Sequence, residues 1–233
     1  MTQRALRVLR RCDTVIGYKG YLDLLGGLVD GKKLVPGGMG QELERARWAI
    51  DEALAGKEVA LVSGGDPGVY GMAGPVLEVL REQGMTLDLE IVPGVSAFNA
   101  CAARLGAPLM NDFAVISLSD LLTPWPVIFR RLELAAQADL VIVLYNPSSS
   151  KRLPRLQEAH QLLLRYRPPH TWVGIVRDAF RQAETVVITR LENLMEQTID
   201  MHSTVIVGNS TTVTHQGYLV TPRGYCSPQG QRD

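Results

Sequence analysis

Cysteine and histidine are scarce in this sequence, and neither is spaced as in a familiar kind of site. The residues concerned are Cys12, Cys101, Cys226, His160, His170, His202 and His215. Scattered cysteines in odd number lack the spacing of a disulfide framework, a zinc site or a redox motif, so we expect no metal and a reduced, cytoplasmic protein. His160 lies on the apolar stripe of a predicted helix, which favours a packed or half-exposed histidine over a metal ligand.

An excess of charge of one sign and long apolar runs are missing as well. The 24 basic residues balance the 24 acidic ones, so nothing indicates nucleic acid or an anionic membrane as a partner. No apolar run approaches the roughly 20 residues that span a bilayer. There is no G-x-x-x-x-G-K motif, and no G-x-G-x-x-G opens a helix after a first strand. Neither NTP hydrolysis nor a dinucleotide site is therefore supported.

Strand and helix patterns alternate along the chain, which is typical of an α/β protein. Its 233 residues, of which 46% are hydrophobic, suffice for one large or two small domains. The predicted strands are 14–17, 58–62, 87–92, 113–117, 139–144, 171–176, 184–189 and 203–207, and the predicted helices are 42–55, 69–83, 97–105, 126–138 and 151–166. The pattern breaks at Gly106–Asp112. We therefore expect an N-terminal lobe, 1–112, and a C-terminal lobe, 113–233, whose last residues form a polar tail.

Two of these helices have apolar residues at the spacing of one helix face. The residues expected to point inward are Leu43, Ala46, Ile50, Ala53 and Leu54 in the first, and Ala73, Val76, Leu77 and Leu80 in the second. A glycine follows each helix, Gly56 and Gly84, as is common at a helix end.

Four loops with glycine, asparagine or serine follow predicted strands. They are Gly64-Gly65-Asp66-Pro67, Pro93-Gly94-Val95-Ser96-Ala97, Ser117-Leu118-Ser119-Asp120 and Tyr145-Asn146-Pro147-Ser148-Ser149. Glycine lets backbone approach a ligand closely, and the carboxyl ends of strands in an open α/β sheet face a common crevice. The sequence thus predicts a small-molecule site. For any one loop a tight surface turn is the alternative, and Ser96 has the alternative role of a helix cap.

These loops resemble those of the class III, S-adenosylmethionine-dependent tetrapyrrole methyltransferases. In that family Gly-Gly-Asp-Pro and Pro-Gly-x-(Ser/Thr)-Ala build the cofactor site. The likeness is closer still to the members that methylate C(17) of precorrin-3B or cobalt-factor III in cobalamin synthesis. The segments that carry it are 17–24, 63–73, 117–125, 144–149 and 176–179. The resemblance implies a two-lobed α/β fold, each lobe an open sheet flanked by helices, with S-adenosylmethionine in the cleft between the lobes, a tetrapyrrole substrate and a homodimer.

The resemblance also implies roles for particular residues. The residues expected to bind the cofactor are Gly64, Gly65, Asp66, Val69, Ser96, Ala97, Asn146, Ala179 and Thr204. The family reaction also contracts the ring, and the candidates to move a proton are Asp120, Ser119, Tyr21 and Lys19. Their alternative roles are helix caps for Ser119 and Asp120, and solvated or core-edge side chains for the other two. The arginines that could pair with substrate carboxylates are Arg130, Arg152, Arg177 and Arg181, with a plain surface position as the alternative.

One element of the family pattern has no counterpart here. A strand and a Gly-x-Gly-Pro-Gly-Asp-Pro loop precede the position that matches Met1-Thr2. We expect either a misassigned or shortened start, or an impaired copy. The alternatives to C(17) methylation are therefore another class III methylase, including one that acts on diphthine, and a tetrapyrrole-binding homologue without activity.

Overall fold

The computed structural model describes residues 1–148 and 153–225. The helices are Gln3–Arg11 (α1), Lys19–Asp23 (α2), Glu42–Leu54 (α3), Ala73–Glu82 (α4), Ala97–Leu105 (α5), Trp125–Gln137 (α6) and Leu153–Tyr166 (α7). The strands are Thr14–Tyr18 (β1), Lys33–Gly37 (β2), Val59–Val62 (β3), Gly106–Ala107 (β4), Phe113–Ser117 (β5), Val141–Tyr145 (β6), Trp172–Arg177 (β7), Thr185–Arg190 (β8), Ser203–Val207 (β9), Val213–His215 (β10) and Tyr218–Val220 (β11). Ser149, Arg152, Cys226 and the end of the expected tail lie outside the described residues. Within those ranges, no helix has the length and apolar character needed to cross a membrane.

The first compact unit, Met1–Ala97, is built on a parallel sheet with the strand order β2-β1-β3. Successive side chains of a strand point to opposite faces of the sheet. On one face Val15 and Ala60 pack with Leu9 of α1. On the other face Leu61 packs against a cluster formed by α3 and α4. The sheet is therefore covered by helices on both sides, which confirms the α/β class for this unit.

The second unit, Phe98–Asp233, contains a five-stranded sheet with the order β5-β6-β9-β7-β8. Strands β5, β6 and β7 are parallel to one another, and β8 and β9 run antiparallel to them. Leu144 lies on the face that α6 and α7 cover. Val143 lies on the opposite face, where it packs with Leu105 of α5 and Leu219 of β11. A small second sheet joins β10, β11 and β4.

The chain divides after Ala97, whereas the sequence pattern predicts a boundary near residue 112. The reason is the packing of α5. Leu105 is fully buried, and its Cδ1 lies only 2.4 Å from the place that a Cβ on Gly174 of β7 would take. Strand β4, which follows α5 directly, pairs with β11. Helix α5 therefore packs with the strands that follow it in sequence, and the interrupted pattern at Gly106–Asp112 lies inside the second unit.

The predicted strand 87–92 is wrong: these residues form no strand in the structure. Side chains of α1 hold this segment instead. Arg4 forms an ion pair with Glu90, and the Thr2 hydroxyl donates to the carbonyl of Pro93 at 3.1 Å. An apolar alternating run is therefore present without the ladder of backbone hydrogen bonds that defines a strand.

The remaining elements agree with the predictions in number and order, with two kinds of error. Leu43, Leu54 and Leu77, which were expected to point inward, are about half exposed. The strands that the sequence patterns missed are β2, β4, β10 and β11. His160 behaves as expected, because it is partly buried and its Nε2 lies 2.8 Å from the carbonyl oxygen of Leu191.

Candidate functional site

The carboxyl ends of β1, β2 and β3 lie at one edge of the first sheet. Tyr18 pairs with Gly37, and Gly17 pairs with Val62, so the three strands end in register. The loop that contains Gly64 and Gly65 follows β3 at this edge, and α2 follows β1. Because parallel strands present their following loops on the same side, the sequence-predicted residues of α2 and of this loop are brought together.

Asp66 joins the two glycine loops of the first unit. Its Oδ1 accepts the N–H of Gly68 at 2.8 Å, and its Oδ2 accepts the N–H of Gly94 at 2.9 Å. The second bond connects loops that are 28 residues apart in the chain. A carboxylate bonded by two backbone N–H groups is a strong local tie. Asp66 therefore fixes the position of one loop against the other.

Backbone contact between the same two loops requires glycine. A Cβ on Gly94 would lie 2.1 Å from the carbonyl oxygen of Gly65, closer than any real Cβ contact. Gly65 itself has φ +99°, a conformation that side chains other than glycine rarely adopt. A Cβ there would lie 3.3 Å from the carbonyl oxygen of Val95. The glycines thus let the loops touch each other.

Gly64 and Gly65 keep backbone donors free at the surface. Both residues are exposed, and within the described parts of the chain their N–H groups donate to no protein acceptor. Ser96 is 5% exposed and immediately precedes α5, and Ala97 is the first residue of that helix. Val69 is half-buried, and its N–H donates to the carbonyl of Asp66 at 3.2 Å. This arrangement suits a polar ligand held by backbone.

Tyr21 covers Gly64 from the side of α2. A Cβ on Gly64 would lie 2.5 Å from Cζ of Tyr21 and 2.8 Å from its hydroxyl oxygen. The ring of Tyr18 meets that of Tyr21 edge to face at a centroid distance of 5.3 Å. Lys19 is exposed at the start of α2. The structure therefore brings a predicted catalytic residue against a predicted cofactor residue.

The second sheet has a corresponding edge. Strands β5, β6 and β7 end at Ser117, Tyr145 and Arg177, and β9 begins beside Arg177, since Arg177 pairs with Ser203. Asn146 follows β6 directly and has φ +49°. The predicted residues of the second unit therefore follow or begin neighbouring strands at one edge.

Ser117 connects two of these predicted residues. Its Oγ accepts the side-chain N–H of Asn146 at 3.0 Å and the backbone N–H of Ser119 at 3.3 Å. Asp120, the next residue, accepts a hydrogen bond from Nε of Arg155 at 2.9 Å. Asp120 thus holds its loop to helix α7, a role that the sequence patterns did not indicate.

The loop after β7 has an unusual backbone. Asp178 and Phe180 have φ of +50° and +58°, so both residues that flank Ala179 are left-handed. Such conformations cost about 1–3 kcal/mol each and cluster at functional sites. The predicted residue Ala179 therefore lies in a segment that its surroundings hold in a strained shape.

Asp200 holds that same loop and was missed by the sequence patterns. Its carboxylate accepts from Nε of Arg177 at 2.7 Å, from the N–H of His202 at 2.9 Å and from the hydroxyl of Ser203 at 3.0 Å. Burial raises the pKa of the Asp200 carboxyl, but these bonds outweigh burial and keep that pKa below its ordinary value. The spacing of an aspartate before a histidine and a serine is a turn signal that could have found it.

Thr204 lies deeper than the other predicted residues. It is 5% exposed, belongs to β9 and pairs with Val176. Burial raises the pKa of the neighbouring Cys101 thiol, and a hydrogen bond with Thr204 lowers it in part. Thr204 is therefore packed into the unit at the edge where the loops emerge.

The arginines considered for substrate carboxylates have acidic partners in the chain. Arg130 pairs with Glu133 at 2.7 Å, Arg177 with Asp200 at 2.7 Å and Arg181 with Asp178 at 3.5 Å. A substrate carboxylate would have to compete with these partners. No group of three or more histidine, cysteine, aspartate or glutamate side chains in the described ranges is placed to hold a metal ion.

Sequence comparison relates the chain to known proteins. The sequence model of the tetrapyrrole (corrin/porphyrin) methylases matches residues 1–195. The chain is 48% identical to a cobalt-factor III methyltransferase of Priestia megaterium, over 97% of this chain and 42% of that protein. It is 46% identical to a probable cobalt-factor III C(17)-methyltransferase of Salmonella typhimurium, over 97% of this chain and 93% of that protein.

Solved structures show the same fold. The methyltransferase CobJ superposes with a TM-score of 0.90 at 31% identity, over 95% of this chain and 93% of that one. A uroporphyrin-III C-methyl transferase from Thermus thermophilus, complexed with S-adenosylhomocysteine, superposes with a TM-score of 0.67 at 25% identity, over 89% and 90% of the two chains. The expected fold class is therefore confirmed.

Proposed function

Because the chain belongs to the tetrapyrrole (corrin/porphyrin) methylases, we propose that it transfers the methyl group of S-adenosylmethionine to C(17) of cobalt-factor III in cobalamin synthesis. The observation that carries this proposal is the 46% identity to the Salmonella relative, of which the chain spans 93%. The chain spans 42% of the Priestia relative, whose name describes a related activity. Precorrin-3B, which lacks cobalt, is the second substrate to test.

The glycine loops of the first unit support a cofactor held by backbone. Gly64 and Gly65 offer exposed N–H groups, and Gly94 lets the second loop close against Gly65. The residues proposed to hold S-adenosylmethionine are Gly64, Gly65, Asp66 and Val69, with Ser96 and Ala97 at its methionine part, and Asn146, Ala179 and Thr204 at its adenosyl part. Asp66 contributes by fixing the two loops rather than by a free carboxylate.

When bound, S-adenosylmethionine supplies an electrophilic methyl group, so the surrounding residues need to align two reacting carbons and exclude water. Loops tied by a carboxylate and by backbone contact meet that need, because they hold their geometry before the ligand arrives. For proton movement in the ring contraction we retain Tyr21, Lys19, Ser119 and Asp120. Of these, the Tyr21 hydroxyl lies beside Gly64, and Asp120 is held in place by Arg155.

The test is anaerobic incubation of the protein with S-adenosylmethionine carrying a labelled methyl group and one tetrapyrrole at a time. We expect cobalt-factor III to gain the mass of one labelled methyl group, and fragmentation to locate it at C(17). The matched control is uroporphyrinogen III, which should gain none. Binding of tetrapyrrole without any methyl transfer would support an inactive binding homologue and contradict the proposed activity.

Two further expectations belong to the same proposal. The resemblance implies a homodimer, which sedimentation of the purified protein would test. The scattered cysteines are consistent with a cytoplasmic location. Both remain predictions.

A further inference from the structure

Leu121 and Leu122, here called the leucine pair, are presented to solvent. Their exposed fractions are 79% and 97%, and within the described residues Leu122 is the most exposed of the large apolar side chains. A single exposed leucine is common on protein surfaces. Two adjacent ones at nearly full exposure form an apolar surface that has a reason to be there only if something covers it.

The loop that carries the leucine pair is fixed on both sides. Leu118 is fully buried, and its N–H donates to the carbonyl of Tyr145 at 2.9 Å. Asp120 is bonded to Arg155. On the other side Trp125 is 9% exposed and begins helix α6. The exposure of the leucine pair is therefore not that of a loose terminus, because residues immediately before and after it are anchored.

The leucine pair follows the edge of the second sheet at which the predicted site residues lie. It comes four residues after the end of β5 at Ser117, whose hydroxyl accepts from Asn146. No charged side chain lies between the leucine pair and Trp125 in the sequence, since the intervening residues are Thr123 and Pro124. The surface that this segment offers is apolar and adjacent to the candidate site of the second unit.

We propose that the leucine pair is a substrate subsite that contacts the apolar face of the tetrapyrrole. This inference rests on the proposed function. A tetrapyrrole is a flat macrocycle with carboxylates on its rim and apolar faces, and branched aliphatic side chains pack against such a face. Contact with the leucine pair buries apolar surface of both partners. The anchors at Leu118 and Trp125 hold the pair in place, so little loop ordering opposes binding.

The experiment compares Leu121→Ser/Leu122→Ser with the parent protein in methyl transfer to cobalt-factor III. We expect a rise in KM for the tetrapyrrole of roughly ten- to a hundredfold, which is the range for lost apolar contacts in a binding site. The affinity for S-adenosylhomocysteine, measured by calorimetry, and the melting temperature should stay unchanged. Leu121→Met/Leu122→Met should restore the parent KM, because methionine offers similar apolar area. The matched control is Leu134→Ser on α6, where a leucine is 47% exposed away from the strand ends.

Each other outcome overturns the inference in a distinguishable way. If the parent methylates the tetrapyrrole and the double serine variant has the parent KM, the proposed function stands and the subsite does not. If Leu134→Ser raises KM as much as the double variant, the effect is one of general surface polarity and not of a subsite. If the double serine variant lowers only the affinity for S-adenosylhomocysteine, the pair contacts the cofactor instead. If the parent neither binds nor methylates any tetrapyrrole, the proposed function and the subsite both fail.

Discussion

The phenol ring of Tyr21 lies against the backbone of Gly64, so that a Cβ on Gly64 would fall 2.5 Å from Cζ of the tyrosine. Sequence patterns indicated the two residues separately, one as a proton donor or acceptor and the other as part of the cofactor loop. Their contact means that neither can change size without affecting the other. Tyr18 packs on the same ring, which limits how far Tyr21 can move away.

Gly64→Ala is expected to weaken the binding of S-adenosylhomocysteine, because the added methyl group displaces the ring of Tyr21 into the space above the loop. In a Tyr21→Ala background the same glycine substitution should have little further effect, since the ring is gone. Calorimetric titration of the parent, both single variants and the double variant measures this coupling. Strictly additive losses in the double variant would show that the two residues act independently.

Gly94→Ala is expected to destabilise the protein by about 1–3 kcal/mol and to abolish cofactor binding. Its Cβ would lie 2.1 Å from the carbonyl oxygen of Gly65, and both atoms belong to rigid backbone. The matched control is Gly74→Ala, because a Cβ on Gly74 in helix α4 meets nothing within 4 Å. The control should gain about 0.5–1 kcal/mol from reduced backbone entropy in the unfolded chain. Urea unfolding of both variants decides, and equal stability would contradict the contact.

Gly65→Val should abolish the binding of S-adenosylhomocysteine, whereas Ser96→Ala should cost about 1 kcal/mol of binding free energy, the value of one neutral hydrogen bond. Valine strongly disfavours φ +99° and would press on the carbonyl of Val95. The effect therefore comes from a displaced loop as well as from lost ligand space. Calorimetry on variants with parent-like circular dichroism is the measurement. Parent-like affinity of Gly65→Val would place the cofactor elsewhere.

Asp66→Ala is expected to lower the free energy of unfolding by about 2–3 kcal/mol, because the N–H groups of Gly68 and Gly94 lose a charged acceptor. Asp66→Asn keeps one acceptor oxygen and should fall between the parent and the alanine variant. Asp88→Asn, at an exposed position, is the control and should change little. Cofactor affinity should follow the same order. An alanine variant as stable as the parent would contradict the role of Asp66 as a tie.

Asp200→Asn should change how stability depends on pH. The folded-state pKa of Asp200 is depressed, so its carboxylate stabilises the fold above the ordinary pKa of about 4 and loses that effect as the pH falls through the folded pKa. The variant should therefore be less stable than the parent by about 1 kcal/mol at pH 7, a modest value because the side chain is 36% exposed. Below about pH 4 the difference should shrink. Urea unfolding from pH 3 to 7 is the test, and a difference that stays constant over this range would contradict it.

Local sequence signals were sufficient for many elements. Helix 97–105 and strand 113–117 were predicted with the observed bounds, because each combines a clear apolar period with a turn residue at its end. The same signals failed at 87–92, where the alternation is present but Thr2 and Arg4 of α1 hold the segment. They also failed at Lys33–Gly37, a strand with mostly exposed residues and a proline.

The sequence by itself determined the family and which loops deserve attention, because Gly-Gly-Asp-Pro and Pro-Gly-Val-Ser-Ala are local strings whose backbone freedom is a property of the residues. Tertiary structure decided what the residues in those strings do. It turned Asp66 into a tie to Gly94 and placed Tyr21 on Gly64, since both depend on contacts between segments that are distant in the chain. Pairing partners of this kind are set by the packing of whole strands and helices, and no short stretch of sequence contains them.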